Sequence, residues 1–208
     1  MARTRHLHQI KHPNNKGRIN AGFYRAWEPQ AYGSLAEHIE RLDMVVSEGF
    51  FISPNRDTLV ANIDTGLMSL KRKYRKPVLI SLSNYVNYNN VKGGFDTYDV
   101  ERIIKKKKLR IQFINNIVTQ LKRYKFQGIN LDFDEIKDIN SKNYIAFENS
   151  LYAILHPLGF LVTQNVNPDD ENYNLERLQR VNDFLFVMAI DQHNDGSNAG
   201  DLSNQHWV

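Results

Sequence analysis

Short apolar runs alternate with stretches of helical periodicity from residue 19 to residue 191. Short apolar runs bounded by turn residues are typical of buried strands, and here they predict strands at residues 19–27, 44–46, 77–84, 126–135, 160–166 and 184–191. Residues 50–52 continue the second run before Pro54 ends it. Apolar residues at helical spacing between the runs predict helices at residues 34–42, 63–73, 111–121, 141–155 and 175–181.

This alternation implies βαβ units, which form parallel sheets with right-handed crossovers. A barrel fits better than an open doubly wound sheet, because no glycine-rich phosphate loop follows the first strand. An eight-unit barrel normally needs about 250 residues, whereas this chain has 208. The sequence therefore predicts an α/β fold of the (β/α)8 TIM-barrel type, truncated after about six β/α units. Such a chain is expected to be a fragment, or a domain completed from elsewhere.

The strand at residues 126–135 carries polar groups where a buried parallel strand is normally apolar. Successive strand side chains point to opposite faces. One face therefore bears Ile129, Leu131 and Phe133, and the other bears Asn130, Asp132 and Asp134. Burying carboxylates is costly, and the chemistry of such barrels lies at the carboxyl ends of the strands. We therefore predict that this strand carries the active site, with two carboxyl groups whose pKa values are pushed apart into an acid and a base-like partner.

Composition narrows the alternatives to a single globular domain. The chain is 41% hydrophobic and 24% charged, which suits one domain over residues 19–208. Its net charge of +4 reflects basic residues in segments 1–18 and 105–108, interpreted as a disordered arm and a solvated helix face. Because no recognition motif accompanies these segments, no nucleic-acid partner is expected.

Neither a cofactor nor a membrane is expected. The chain has no cysteine, and its seven histidines show no metal-binding spacing such as His-Glu-x-x-His, so the sequence predicts no metal. The basic N-terminus lacks the apolar core of a signal peptide. No segment is long enough to span a bilayer, so a soluble chain is expected.

Three local features have a predicted structure. The segment 85–95 is rich in Asn, Tyr and Gly and is expected to form a loop at the functional rim. Ser34 and Glu37 have the spacing of a capping box, in which each side chain satisfies a free amide at a helix start. Ser141 is expected to cap a later helix.

Four segments of the chain match, in order and spacing, the signature segments of one family. Residues 127–134 read Gln-Gly-Ile-Asn-Leu-Asp-Phe-Asp, against the pattern Asp-Gly-x-Asp-x-Asp-x-Glu. Residues 23–27, 80–84 and 188–191 stand where the first-strand, third-strand serine and sixth-strand Met-x-Tyr-Asp segments belong. Over roughly residues 19–207 the chain thus resembles glycoside hydrolase family 18, the chitinase-like family.

Within that family the chain is most similar to one bacterial subgroup. The resemblance lies in residues 34–35, 42–46, 82–84, 188–193 and 203–207. In this subgroup such a domain precedes a polysaccharide deacetylase and a family 2 glycosyltransferase. The resemblance therefore implies a polysaccharide or oligosaccharide substrate, these two modules as fused or working partners, and an extracytoplasmic location. The sequence itself gives no location.

The resemblance implies substrate-assisted, retaining hydrolysis of a β-linked polysaccharide of N-acetylglucosamine type, an exception to the usual use of two catalytic carboxylates. Asp134, at the position of the family's glutamate, would protonate the glycosidic oxygen. The substrate's own acetamido carbonyl would attack the anomeric carbon, while Asp132 orients the acetamido group and Asp191 closes its pocket. Further substrate contacts are expected from Asn130, Tyr24, Trp27, Ser83, Asn84, Gln192 and Trp207.

Three departures from the family pattern bear on activity. Asp134 is one methylene shorter than glutamate, and a misplacement of ~1 Å can cost ~10²-fold in rate. Ile190 replaces the tyrosine that steadies the acetamido group in the family, and Gln127 and Asn130 replace acidic residues. Glu135 is the alternative acid if a β-bulge re-aims it; otherwise it is interpreted as a salt-bridge partner at the strand end.

Two functions stay open on the sequence: a glycosidase, and a glycan-binding pseudoenzyme that keeps the cleft but has lost hydrolysis. Structural alternatives also stay open for single residues. Asp132 and Asp134 are alternatively members of a buried network with Asn130 and Ser83. Asp191 alternatively caps the loop after the sixth strand. Trp27 and Trp207 are as readily interpreted as core residues as sugar-stacking platforms.

Overall fold

The computed structural model describes residues 18–53, 58–86, 93–167, 173–190, 192–193, 197–201 and 203–204. The predicted basic arm lies outside the described residues apart from Arg18. Two predicted site residues, Asp191 and Trp207, also lie outside them.

Strands and helices alternate along the described residues, as the apolar pattern predicts. In chain order they are β1 (Ala21–Tyr24), α1 (Ala31–His38), β2 (Met44–Ser53), β3 (Thr58–Ala61), α2 (Thr65–Tyr74), β4 (Val78–Ser83), β5 (Tyr85–Val86), β6 (Gly94–Phe95), α3 (Thr97–Lys105), α4 (Lys107–Tyr124), β7 (Gly128–Asp132), α5 (Lys142–Leu155), β8 (Leu161–Val166), α6 (Leu175–Leu178) and β9 (Phe184–Val187). No described helix is both long enough and apolar enough to cross a bilayer.

The main sheet is a half-barrel of parallel strands. Its strands lie in the order β1-β2-β4-β7-β8-β9, all parallel, and β3 pairs with β2 in the antiparallel sense. The sheet curls so far that Phe23 on β1 and Phe186 on β9, its two edge strands, are in edge-to-face contact with ring centroids 5.2 Å apart. The prediction of a TIM-barrel type with about six β/α units is confirmed.

Two apolar clusters fill the two sides of this sheet. The larger cluster lies between the strands and the helices and includes Ile80, Ile129, Phe113, Leu121 and Leu151. The smaller cluster consists of Met44, Val46, Leu79 and Leu161, with Phe184 and Phe186 packed against it. Because side chains alternate along each strand, polar residues in register with the smaller cluster face the inside of the half-barrel, where a substrate cleft can form.

Of the two helix caps predicted from the sequence, one is present in the structure and the other is not. Ser141 caps α5, and its Oγ accepts a hydrogen bond from the Tyr144 N–H at 3.2 Å, as predicted. The predicted capping box of Ser34 and Glu37 is wrong, because α1 already begins at Ala31 and Ser34 lies within it. The residue at the N-cap position of α1 is Gln30, whose side chain makes no capping hydrogen bond.

The segment predicted as a rim loop contains a short antiparallel ribbon. Strands β5 and β6 pair, and the rings of Tyr85 and Phe95 are in edge contact with centroids 5.4 Å apart. Residues 87–92 between the strands lie outside the described residues. Strands of two residues are too short for a period-2 pattern to be read from the sequence.

A β-bulge at Gly49 changes which residues of β2 face the inside of the half-barrel. The pairing of β2 with β4 shifts register between Glu48 and Phe50. As a result Glu48 and Phe51, three residues apart, both reach the same cleft. A Cβ atom at position 49 would lie 2.7 Å from Ile80 Cδ1, so glycine at the bulge leaves room for the Ile80 side chain.

Candidate active site

A cleft of about 820 Å³ opens at the carboxyl ends of β1, β2, β4 and β7. Its polar lining consists of Arg25, Trp27, Glu48, Asn62, Ser83, Asp132 and Asp134. Apolar and aromatic side chains, among them Phe51, Tyr85 and Phe95, form the remaining walls. The cleft therefore brings together four of the predicted site residues, at the barrel end where chemistry is expected.

Asp132 is held by a ladder of polar side chains on neighbouring strands. The Asn165 amide donates a hydrogen bond of 2.6 Å to Asp132 Oδ1. Asn130 donates to Asn165 Oδ1 at 3.0 Å and to Ser81 Oγ at 3.1 Å. Thr163 Oγ1 donates to Asn130 Oδ1 at 2.8 Å. Because the Asn165 oxygen is already an acceptor for Asn130, its amide nitrogen is turned toward Asp132.

The surroundings of Asp132 shift its titration in opposing directions. Burial raises the pKa of the Asp132 carboxyl group above its ordinary value. The hydrogen bond from Asn165 and the positive charge of Arg25 lower it. Asp132 therefore has a hydrogen-bond donor, Asn165, and a nearby positive charge, Arg25, which both stabilise its ionised form inside the cleft.

Asp134 lies beyond the end of β7, at the mouth of the cleft, and is exposed. Partial burial of its carboxyl group and the charges of Asp132 and Glu135 together raise the pKa of Asp134 to about 6, against the opposing charge of Arg25. Solvent at the cleft mouth screens part of these charge effects. Asp134 is thus suited to carry a proton closer to neutral pH than an ordinary aspartate does.

The side chain of Asn84 binds the backbone of Asp134 at two points. Its amide nitrogen donates to the Asp134 carbonyl oxygen at 2.9 Å, and its Oδ1 accepts from the Asp134 N–H at 2.9 Å. Asn84 is only 1% exposed. The next residue, Glu135, has a φ of 57°, so the chain turns sharply directly after Asp134.

Trp27 lies at the lip of the cleft with 63% of its surface exposed. Its indole N–H donates to Glu48 Oε2 at 2.8 Å, and the Arg25 guanidinium lies 5.6 Å from the centre of the ring. These two contacts hold the orientation of an exposed aromatic ring. A ring held in this way is suited to packing against the apolar face of a sugar.

The family model described as "Glycosyl hydrolases family 18" matches residues 20–206 of this chain. The chain belongs to glycosyl hydrolases family 18. It is similar to an uncharacterized glycosylase, YvbX, of Bacillus subtilis, with 20% identity over 194 residues that cover 89% of this chain and 55% of the relative. The chain thus spans about half the length of that curated relative.

Solved structures of similar fold include a spore cortex-lytic enzyme, SleL, of Bacillus megaterium. It has a TM-score of 0.77 and 20% identity, covering 95% of this chain and 47% of that chain. A class V chitinase of Pseudomonas fluorescens has a TM-score of 0.78 and 20% identity, covering 91% of this chain and 62% of that chain. At this level of identity the likeness establishes the fold.

Several residues predicted to contact substrate in this family 18 domain lie elsewhere. Tyr24 is 3% exposed, and its hydroxyl donates to Asp64 Oδ1 at 3.0 Å, where Asp64 also caps α2. Gln192 accepts a hydrogen bond from the Asn204 N–H at 3.0 Å. Neither is among the described residues that line the cleft, as is also the case for the alternative acid, Glu135.

The alternative of a buried network of Asp132 and Asp134 with Asn130 and Ser83 fits the link from Asp132 through Asn165 to Asn130, but its choice of serine is wrong. Asn130 bonds to Ser81, because Ser81 is its direct partner in the register of β4 and β7. Ser83 is the register partner of Asp132, lines the cleft, and accepts a hydrogen bond from the Tyr85 N–H at 3.0 Å.

The sequence analysis missed two polar residues that contact Trp27 in this family 18 cleft, Arg25 and Glu48, and the hydrogen-bond partner of Asp132, Asn165. Asn165 carried a usable signal, since it ends a run of three polar residues, 163–165, within an otherwise apolar strand. Glu48 carried a weaker signal, as an acidic residue within a buried apolar run. Among the described residues, no group of three or more His, Asp or Glu side chains is arranged to hold a metal ion.

Proposed function

We propose that this chain is a glycoside hydrolase-like domain that acts on β-linked polysaccharide of N-acetylglucosamine type, with Asp134 as the acid. The observation that carries the proposal is the pair Asp132 and Asp134, which line one cleft in two different environments. Burial raises the pKa of both carboxyl groups and Arg25 opposes the rise at both, but the Asn165 hydrogen bond lowers the pKa of Asp132 whereas the charge of Asp132 adds to the rise at Asp134. Pairs of carboxyl groups with separated pKa values are typical of acid–base catalysis.

The proposed reaction uses the substrate's own acetamido group. Asp134 donates its proton to the glycosidic oxygen as the bond to the anomeric carbon breaks. The acetamido carbonyl oxygen attacks the anomeric carbon, while the Asp132 carboxylate accepts the acetamido N–H and holds the group in line. A water molecule then opens the cyclic intermediate and returns a proton to Asp134, which restores the starting state with the β configuration retained.

Other contacts in the proposal rest on the cleft and on the family resemblance. Trp27 is proposed to stack on a sugar ring, with its indole held by Glu48. Asp191 and Trp207, outside the described residues, are proposed to close the acetamido pocket and to stack on substrate. Contacts from Tyr24 and Gln192 stay predictions. A deacetylase and a glycosyltransferase acting on the same polysaccharide are the proposed working partners.

The raised pKa of Asp134 predicts how hydrolysis depends on pH. Asp134 must be protonated to act, and its pKa is raised to about 6 by burial and by Asp132. We therefore expect kcat/KM to fall about tenfold per pH unit above this pKa. At the acid end the rate falls as Asp132 takes up a proton. Hydrolysis of oligomers measured across the range tests this, and a rate that rises with pH above about 7 would contradict it.

The test of Asp134 as a short acid is Asp134→Glu, which restores the residue of the family pattern. We expect a higher kcat, since the added methylene extends the reach of the acid toward the glycosidic oxygen and a displacement of ~1 Å changes rates by ~10²-fold. The release of reducing ends from N-acetylglucosamine oligomers measures the effect. An unchanged or lower kcat in folded Asp134→Glu counts against a rate limited by the reach of Asp134.

The second candidate function is glycan binding without hydrolysis. One observation favours it: Ile190, at the position of the family's tyrosine, is half-exposed and has no hydroxyl group to steady an acetamido oxygen. Calorimetry with intact oligomers tests this function. Binding that weakens in Trp27→Ala, with no product formed by the wild-type protein, would select it over the hydrolase.

A further inference from the structure

The backbone of Asp134 lies just past the end of strand pairing in the sheet. Strands β4 and β7 pair in register as far as Ser83 and Asp132. The N–H and C=O groups of Asp134 are bonded instead to the side-chain amide of Asn84. An asparagine amide presents a donor and an acceptor in one plane, as a peptide group does. Asn84 therefore extends the pairing of β4 with the β7 segment by means of its side chain.

The same asparagine is also bonded to the aromatic wall of the cleft. Its backbone carbonyl accepts the Asp96 N–H at 2.8 Å, directly after β6. Its chain neighbour Tyr85 begins β5, and Tyr85 and Phe95 both line the cleft. One buried residue thus connects the segment that carries the acid to the wall that faces it.

We propose that Asn84 is a positioning residue, which sets the reach of Asp134 by fixing its backbone against the Tyr85–Phe95 wall without contacting substrate. The inference rests on the proposed function of Asp134 as the acid. An aspartate side chain is short, so its carboxyl group follows any movement of the backbone closely. A backbone drift of ~1 Å is therefore enough to cost ~10²-fold in rate. Asn84 is 1% exposed, and both the nitrogen and the oxygen of its side-chain amide are hydrogen-bonded to Asp134. The side chain is therefore suited to positioning Asp134 and not to binding sugar.

Asn84→Ala removes both hydrogen bonds, and Asn84→Asp keeps the size of the side chain while replacing its donor by a carboxylate. For Asn84→Ala we expect kcat to fall about 10- to 100-fold with KM within about threefold of wild type. The titration of the Asp134 carboxyl group, followed by carbon NMR, is expected to shift in both variants. Asn115→Ala, at an exposed position on α4, is the control and is expected to change neither.

The carboxyl titration and oligomer affinity decide the inference even if the wild-type protein proves inactive. A shifted Asp134 titration with an unchanged dissociation constant supports positioning, whatever becomes of the proposed hydrolysis. An Asp134 titration that is unchanged in a folded variant overturns the positioning role of Asn84. If the affinity for oligomers also falls in that variant, a direct contact between Asn84 and the sugar is the explanation. Should Asn84→Ala fail to fold, Asn84→Ser, which introduces no charge beside Asp134, is judged by the same two measurements.

Discussion

Asp134→Asn is expected to lower kcat/KM for oligomer hydrolysis by about 10²- to 10⁴-fold. An amide has the size of the carboxyl group but no acidic proton to give to the glycosidic oxygen. The loss corresponds to about 3–5 kcal/mol of transition-state stabilisation. KM is expected to change little, because the proton is transferred in the chemical step and not on binding. Initial-rate kinetics on a single oligomer measures both quantities.

The same substitution is expected to leave the fold intact or slightly more stable near neutral pH. The folded pKa of Asp134 is raised by burial above its unfolded value. Such a group favours the folded state below its unfolded pKa, and that advantage is lost as the pH rises through the folded pKa. After allowance for screening at the exposed cleft mouth, removing the charge is expected to add up to about 1 kcal/mol.

A matched control for Asp134→Asn is Asp138→Asn, four positions further along the chain. Asp138 is exposed and accepts a hydrogen bond from the Asn140 N–H at 3.0 Å, outside the cleft lining. The kcat/KM of the Asp138→Asn variant is expected to stay within about twofold of wild type. Activity that survives in folded Asp134→Asn would transfer the role of acid to another carboxyl group, and besides Asp132 the cleft lining includes Glu48.

Arg177→Ala is expected to lower the free energy of unfolding by about 3–5 kcal/mol. Arg177 on α6 forms an ion pair with Glu148 on α5, whose side chain is 2% exposed. It also contacts the Ile139 carbonyl oxygen at 3.4 Å, in the segment between β7 and α5. Removing the arginine leaves a buried carboxylate without its cation. Denaturant unfolding followed by circular dichroism measures the loss.

This loss of stability is expected to grow with pH. Burial raises the pKa of Glu148 to about 7, although Arg177 opposes the shift, and without Arg177 the pKa rises further. Below that pKa Glu148 takes up a proton and no buried charge remains, so the variant is destabilised less at about pH 5 than at about pH 8. A larger loss of stability at about pH 5 than at about pH 8 would contradict this role of the ion pair between Arg177 and Glu148.

The control for Arg177→Ala is Arg180→Ala, on the same short stretch of chain. Arg180 pairs with Glu176 at 2.6 Å, but both side chains are more than two-thirds exposed. Exposed ion pairs contribute about 0–1 kcal/mol, so little change is expected. The double variant Arg177→Met/Glu148→Gln should recover most of the stability, because it removes both buried charges together. A loss below about 1 kcal/mol in Arg177→Ala would show that the pair is not a determinant of stability.

The sequence predicted the parts of this site that depend on alternation within one strand. Asp132 and Asp134 follow from polar groups at alternate positions near the end of a buried strand. The half-barrel follows from the repeated strand–helix pattern. Both are local or periodic signals, and both need no knowledge of which strands become neighbours.

The remaining parts depend on register between strands, which the sequence does not specify. Ser81 and not Ser83 bonds to Asn130 because of the pairing of β4 with β7. Tyr24 turns toward Asp64 while its neighbour Phe23 faces Phe186, and a slip of one residue would exchange their directions. The bulge at Gly49, which brings Glu48 and Phe51 to one cleft, is likewise a property of two strands together.

The most direct test of the central claim is mass spectrometry of the products formed from N-acetylglucosamine oligomers of β-1,4 and of β-1,6 linkage. Wild type, Asp134→Asn and Asp138→Asn are incubated side by side, with folding of each checked by circular dichroism. We expect shortened oligomers of one linkage from wild type and Asp138→Asn, and intact oligomers from Asp134→Asn. Intact oligomers from folded wild-type protein, or equal cleavage by Asp134→Asn, would contradict Asp134 as the acid of a glycoside hydrolase.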